Sequence, residues 1–276
     1  MIRTDRRRLL GVGLPILVAT AAPGRAADPY DAAVAAGVAY FRKEAARQIV
    51  LARALAQAIA GKDLDAARAA YVEARPPYEE IEVLALCFEA SDTAIDARPY
   101  AFADGETSAD FRGFHRLEAL LFRDDELDAA LPWAIDLVGW CERLERELGE
   151  PERFSPPRSF EGMVGLATEI GAKKISSEEE TWSDQSLLIF KHNWLGIHSQ
   201  YRPFADAVAA RDMATASAVE TAHRAALATV APFFVNGRTE SEPYSRVNAS
   251  SRRAISAAAY RYRDALVAAR DTLGLS

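Results

Sequence analysis

The sequence has no apolar run long enough to cross a bilayer, and it has only two cysteines among 276 residues. Its apolar stretch near the start, residues 9–22, is broken by glycine and proline and falls short of the roughly 20 residues that a spanning helix needs. Cys87 and Cys141 allow one disulfide at most, and the apolar neighbours of Cys87 favour a buried free thiol. We therefore expect neither membrane insertion nor a disulfide-stapled scaffold.

Basic residues are also fewer than acidic ones, with 33 lysines and arginines against 40 aspartates and glutamates. The formal net charge is −7, and residues 1–27 hold five of the arginines and one aspartate, so the remaining 249 residues carry −11. Such an acidic balance argues against binding to nucleic acid or to an anionic membrane surface. It suits a soluble exported protein that meets cations.

Residues 1–27 are typical of an export signal rather than of part of the fold. Arginines at positions 6–8 precede the short apolar segment, and Ala26 and Ala27 offer a cleavage site with small residues. Paired arginines favour a twin-arginine signal, and the ordinary secretory route is the alternative. The sequence predicts a signal peptide that is cleaved near Ala26 or Ala27.

The rest of the sequence predicts an all-α protein. Alanine is abundant, runs of β-branched residues are short, and apolar residues recur at helical spacing. Glycine and proline between residues 149 and 160 mark the best internal boundary, which divides the chain into helical halves at 28–150 and 160–276. The predicted helices cover 30–60, 63–75 (stopped or kinked by Pro76 and Pro77), 78–89, one around His115 capped by Ser108, 132–148, 160–172, 183–210, 211–231 and 249–273.

A histidine and a carboxylate lie three residues apart in the segment 113–118. On a helical wheel, His115 and Glu118 fall within the arc of Phe111, Phe114 and other apolar residues, whereas Arg112, Arg116 and Ala119 point away. A buried carboxylate needs a partner, and a bound cation beside an imidazole would satisfy it. A buried His–Glu hydrogen bond that only joins two helices explains the pattern equally well.

A second acidic set precedes this motif. Glu79 and Glu82 share a helix face, and so do Asp92 and Asp96 if their segment is helical. Arg75 and Arg98 could neutralise or orient these carboxylates. Spacing alone favours an ordinary solvated acidic face over a ligand set.

Six segments of the chain share their sequence patterns with a known family: 74–82, 92–98, 113–118, 172–183, 244–247 and 252–255. They occur in one order over nearly the whole chain after the leader, which is far more specific than any single motif. These segments resemble the imelysin-like family, and within it the periplasmic iron-uptake components of the EfeO and EfeM type.

The resemblance implies a bilobed all-α fold of two helical-bundle halves, and a periplasmic protein that captures iron and delivers it to a membrane permease. A haem-peroxidase-like protein of the same system would be a further partner. The metal ligands that it implies are His115, Glu118, Glu79 and Asp96, with Glu82, Asp92, Arg98 and Arg75 as additional ligands or supporting residues. Iron is the expected metal, although such a set also suits zinc or copper.

Two features depart from the family, and two other functions compete. Asp184 stands where the family often has a histidine, and we expect no cupredoxin-like domain. A metallopeptidase is the alternative function, because the family carries a peptidase label; a helical adaptor with a purely structural His115–Glu118 pair is the third. The iron-uptake interpretation predicts a protein that is not an enzyme.

Overall fold

The computed structural model describes residues 28–176 and 179–275, so the predicted leader lies outside the described residues. Within them the protein is all-α, as predicted, and no β-strand is present. None of the described helices has the length and apolar character that crossing a membrane requires. The helices are α1 (Asp31–Ala60), α2 (Leu64–Ile81), α3 (Glu89–Asp96), α4 (Gly113–Glu118), α5 (Leu127–Glu147), α6 (Pro156–Ala172), α7 (Ser186–Tyr201), α8 (Ala205–Arg211), α9 (Met213–Val230) and α10 (Ala249–Leu273).

The long helices pack in two groups. In the first group, α1 lies against both α2 and α5; in the second, α10 lies against both α6 and α9. Helix α7 contacts α2 from the first group and α6 and α9 from the second. The C-terminal end of α2 therefore meets the second group, and this junction positions the candidate site.

Helix α2 does not stop at its two prolines. It continues through Pro76 and Pro77 to Ile81 and is followed by a 3₁₀ segment, Glu82–Cys87. Of the two predicted alternatives at these prolines, a stop or a kink, the stop is therefore wrong. Burial explains how the helix persists, since the residues from 74 to 81 are all buried. Gln48 of α1 also donates a hydrogen bond to the Ala74 carbonyl, which ties this part of α2 to α1.

The helix that carries His115 begins later than predicted. Its first residue is Gly113, not a residue next to Ser108, and Gly113 has a φ of 74°. A side chain there would overlap the Ile95 carbonyl oxygen, so only glycine allows α4 to start against α3. After Glu118 the chain widens into a π-helical turn, which changes the angular position of the next residues and buries Ala119, predicted to point outward.

The other differences between the predicted and the observed elements are confined to short segments. Helix α5 begins at Leu127 rather than at Pro132, which lies inside it. Phe234 and Ser241 form an isolated antiparallel bridge, and the turn at Asn236 and Gly237 lies between them. Both cysteines are buried free thiols.

The close approach of α6 to the 3₁₀ segment that follows α2 depends on a glycine, and this gives a testable prediction. A Cβ at Gly162 would overlap the Val83 carbonyl oxygen, whereas one at Gly165, on the same helix, meets nothing within 4 Å. Gly162→Ala should lower the free energy of unfolding by about 1–3 kcal/mol, because the helix must move away. The matched Gly165→Ala should raise it by up to about 1 kcal/mol through helix propensity. Urea denaturation measures both free energies of unfolding. Equal changes in the two variants would contradict the packing of Gly162 against Val83.

Candidate metal centre

Seven carboxylates, most of them fully buried, lie close together where α2, α3, α4 and the segment after residue 178 meet. We refer to them as the acidic cluster: Glu79, Glu82, Asp92, Asp96, Glu118, Glu179 and Glu180. Three cations pair with them within the described part of the chain, namely Arg75, Arg98 and Lys174. Full ionisation would therefore leave four negative charges without a counter-charge, which is costly in a buried site.

Arg75 joins carboxylates from three parts of the chain. It has no exposed surface, and its guanidinium nitrogens lie 2.6 Å from Glu79 Oε1, 2.7 Å from Asp96 Oδ1 and 2.8 Å from Glu180 Oε1. The guanidinium also stacks over Phe114, 4.6 Å from the ring centroid. Because an unpaired buried charge is unfavourable, this contact set ties α2, α3 and the 179–185 segment to one another.

His115 and Glu118 lie one turn apart on α4, and both are buried. The imidazole Nδ1 is 3.1 Å from Glu118 Oε2. Glu118 Oε1 accepts hydrogen bonds from the backbone N–H groups of Trp182 and Ser183, at 2.8 and 2.9 Å. Two amides therefore fix this carboxylate and direct its second oxygen at the histidine.

Glu180 completes a group of three potential metal ligands with His115 and Glu118. One nitrogen or oxygen from each of them lies within 4.8 Å of the others, so small side-chain movements would bring all three onto one ion. His115 Nε2 has no hydrogen-bond partner among the described residues, and it lies 3.5 Å from Asp96 Oδ1. Burial lowers the pKa of His115 to about 4, so the ring is neutral at neutral pH, as a metal ligand must be.

The other end of the acidic cluster closes around a lysine. The buried Lys174 Nζ lies 2.9 Å from both carboxylate oxygens of Glu82 and 3.1 Å from Glu179 Oε1. Asn193 of α7 donates hydrogen bonds to Glu79 Oε2 at 3.1 Å and to Glu82 Oε2 at 2.8 Å. Glu79 and Glu82 would therefore have to exchange a protein partner for a metal ion.

The carboxyl pKa values show how the surplus charge is accommodated. Burial raises the pKa of Glu79, of Glu118 and of Glu180 to about 7 in each case. Burial would also raise the pKa of Asp96, but the Arg75 guanidinium holds it below its ordinary value. At neutral pH the acidic cluster therefore retains protons that a bound cation could displace.

Two openings reach the acidic cluster from solvent. A cavity of about 360 Å³ is lined by His115 and Trp182, and a cleft of about 760 Å³ is lined by Glu82 and Asp96. Arg98 lines both of them and so lies between the two openings. A small cation can approach either end of the cluster.

The upstream acidic residues do not form the solvated face that their spacing favoured. Glu79 has no exposed surface, and only 5% of Asp96 is exposed. Their partners explain the burial: Arg75 bridges the two, and Lys174 reaches Glu82 from 92 positions away in the sequence. Helical spacing carries no information about such a distant cation.

The structure brings most of the predicted site residues together, and it adds one. Asp92 lies at the edge of the cluster, where it accepts a hydrogen bond from the Tyr78 hydroxyl. Asp184 lies apart and accepts a hydrogen bond from the backbone N–H of Ser245 at 2.8 Å. Glu180 was not predicted as a ligand, although the acidic run that contains it was one of the segments that resemble the family.

The comparisons with known proteins concern both the family and individual relatives. The imelysin family model, which carries a peptidase label, matches residues 26–273. The relatives include the "Iron uptake system component EfeO" of Escherichia coli K12, of E. coli O1:K1 / APEC and of Shigella flexneri. Each is 34% identical over 161 residues, which cover 58% of this chain and 43% of the relative.

The family model covers most of the sequence, and the chain therefore belongs to the imelysin family. The match to the EfeO proteins spans less than half of their length. It establishes similarity to iron-uptake components over that part.

The buried position of Arg75 predicts a large and pH-dependent effect of its removal. Arg75→Met should lower the free energy of unfolding by about 3–5 kcal/mol, because it leaves three buried carboxylates without their shared cation. Without the guanidinium, the pKa values of Glu79 and Glu180 would rise further above their values in the unfolded chain, and the pKa of Asp96 would no longer be held below its ordinary value by Arg75. Stability is then retained at low pH and lost as the pH rises through the folded pKa values, so the deficit should be larger at about pH 8 than at about pH 5.5.

An exposed arginine supplies the control for Arg75→Met. Arg53 lies 2.6 Å from Glu142, and 57% of its side chain is exposed. Arg53→Met should cost less than about 1 kcal/mol at either pH, because water screens the pair. Urea denaturation at both pH values measures the two variants, and an Arg75→Met deficit that does not change with pH would contradict the charge balance described.

Proposed function

We propose that this member of the imelysin family is a non-enzymatic component of an iron-uptake system, and that it binds iron in the acidic cluster. The observation that carries the proposal is the surplus of buried carboxylates beside a neutral imidazole. Protons or a bound cation can offset such a surplus, and hard oxygen ligands with one nitrogen suit iron. The name of the EfeO relatives supports iron as the cargo.

The proposed ligands are His115, Glu118, Glu79 and Asp96, with Glu180 added from the structure. His115, Glu118 and Glu180 can reach one ion with the smallest movements, since their ligand atoms are already grouped. Asp96 is next to His115 but is also held by Arg75. Glu79 would join the set only by giving up a contact with Arg75 or Asn193.

An uptake component must release its metal as well as capture it. Ligands bind metal in their deprotonated form, so carboxyl groups with pKa values near 7 exchange a metal ion for protons within a narrow pH range. We propose that the protein delivers iron to a membrane permease and works with a haem-peroxidase-like partner. Transfer of radioactive iron from loaded protein to membrane vesicles that contain the permease would test the delivery step.

We also propose that the protein acts in the periplasm after cleavage of residues 1–27. The basic and apolar composition of that segment supports export. Sequencing of the N-terminus of the protein recovered from the periplasm should place the first residue directly after Ala26 or Ala27.

A metallopeptidase is the second candidate, because the family model carries a peptidase label and His115–Glu118 forms a His-x-x-Glu motif. A zinc hydrolase needs about three protein ligands, an open position for water and a general base. If His115, Glu118 and Glu180 were the ligands, Asp96 would be the carboxylate left beside the histidine. Arg75 keeps the pKa of Asp96 low, which makes this carboxylate a weak base.

Metal binding by single variants tests the proposed site. Metal-stripped protein should bind Fe²⁺ under anaerobic conditions, and His115→Ala and Glu118→Gln should each weaken binding by at least about tenfold, because each removes a ligand. Glu79→Gln and Asp96→Asn report in the same way on two of the three other proposed ligands. Equilibrium dialysis with measurement of bound iron gives the affinities.

Asp184→Asn is the matched control, because Asp184 is acidic, is close in sequence to Glu180, and is bound to Ser245 outside the cluster. It should leave iron binding unchanged. Wild-type affinity in both His115→Ala and Glu118→Gln would refute the assignment of these two ligands. Casein cleavage that is lost on chelation and in Glu118→Gln would favour the peptidase instead.

A further inference from the structure

Two histidines that do not belong to the acidic cluster stack face to face, and they come from different helices. His198 of α7 and His223 of α9 have ring centroids 3.9 Å apart and ring planes only 5° from parallel. Helix α10 packs against α9 at the same place, where the Tyr262 ring lies 5.7 Å from the ring of His223. Titratable rings therefore form part of the contact that joins α7, α9 and α10.

Among the described residues, one carboxylate contacts this histidine pair, and it is directed at one ring. Both carboxylate oxygens of Glu220 lie near His198 Nε2, at 3.1 and 3.2 Å. His223 is 7% exposed, and its Nδ1 has no hydrogen-bond partner among the described residues. The buried hydroxyls of Tyr201 on α7 and Tyr262 on α10 also have no hydrogen-bond partner among the described residues. Neither hydroxyl therefore accepts a hydrogen bond from His223.

The remaining charged groups that face the pair lie nearer to solvent. Arg224, also on α9, opposes a positive charge on His223. Asp206 of α8 lines the same surface cavity as Glu220 and Arg224. On α10 the group that faces His223 is the uncharged Tyr262.

The geometry does not suit a shared metal ion, although two histidines and a glutamate suggest one. A metal is bound along the in-plane lone pairs of imidazole nitrogens. In parallel rings stacked at 3.9 Å these directions are parallel, so they do not converge on one point. The same stacking would place two positively charged rings at close range. The pair is therefore suited to respond to protonation and not to bind a metal ion.

We propose that the His198–His223 pair accepts one proton but not two, so that acidification loosens the packing of α7 on α9. Glu220 is hydrogen-bonded to the His198 ring. A second proton would place two imidazolium rings face to face, with no second carboxylate in contact. The fold then relieves the repulsion by separating the two helices.

The direction of the His223 pKa agrees with this arrangement. Burial, together with the His198 charge, lowers the pKa of His223 to about 4, below its value in the unfolded chain. Stability from such a group is complete above the unfolded pKa and is lost as the pH falls toward the folded pKa. The histidine pair should therefore destabilise the protein between about pH 6.5 and pH 4.5. This inference does not depend on iron binding.

Urea denaturation between those pH values tests the proposal in the whole mature chain. Relative to His223→Gln, the folding equilibrium constant of the wild type should fall more steeply with acidification, by up to roughly tenfold per pH unit. A residue that only fills space would change stability equally at every pH. His115 has a lowered pKa too, but it is present in both proteins and cancels in the comparison.

Two further variants keep the test decisive if His223→Gln does not fold. His198→Gln should flatten the acid dependence, because it removes the neighbouring positive charge. Glu220→Gln should make the total loss larger, because it removes the negative charge that raises the pKa of His223 in the folded protein. An acid dependence that is the same in the wild type and in every variant that folds would overturn the proposal.

Discussion

The ion pairs of Arg75 connect the candidate site to the fold. A guanidinium without exposed surface holds carboxylates of α2, of α3 and of the segment after residue 178. Helix α4, with His115 and Glu118, is positioned against the same group through Phe114. Because one buried cation cannot balance so many acids, the arrangement is stable only if further charges or protons are present. The surplus that makes the site suitable for a metal is thus built into the core.

Close backbone contacts keep these acids in place. The residues that follow Glu79 are packed against α6 and α7 at Gly162 and Gly196, where a side chain would overlap a carbonyl oxygen. His192 of α7 adds a contact to Glu80 at 2.8 Å. The backbone at the junction of the two helix groups is therefore closely packed around the carboxylates. Their side chains are paired with protein partners, and Glu79 and Glu82 would have to exchange such a partner for a metal ion.

Local patterns in the sequence predicted the helices and the pairing of His115 with Glu118, because both depend on neighbours within one turn. They did not predict what depends on distant contacts. The burial of Glu79 requires Arg75 and Asn193, and Asn193 comes from another helix. Glu180 enters the site only because its segment folds back onto Arg75. The resemblance to the family indicated these acids as candidate ligands, whereas their spacing alone favoured a solvated face.

The central claim is that protons and metal compete for the same buried carboxylates. Calorimetric titration of metal-stripped protein with Fe²⁺, repeated in buffers of different ionisation enthalpy, counts the protons released for each ion bound. With carboxyl pKa values of about 7, we expect about one proton or more per ion near pH 6, and a number that declines toward zero as the pH rises above about 8. Iron binding without proton release at any pH would contradict the account.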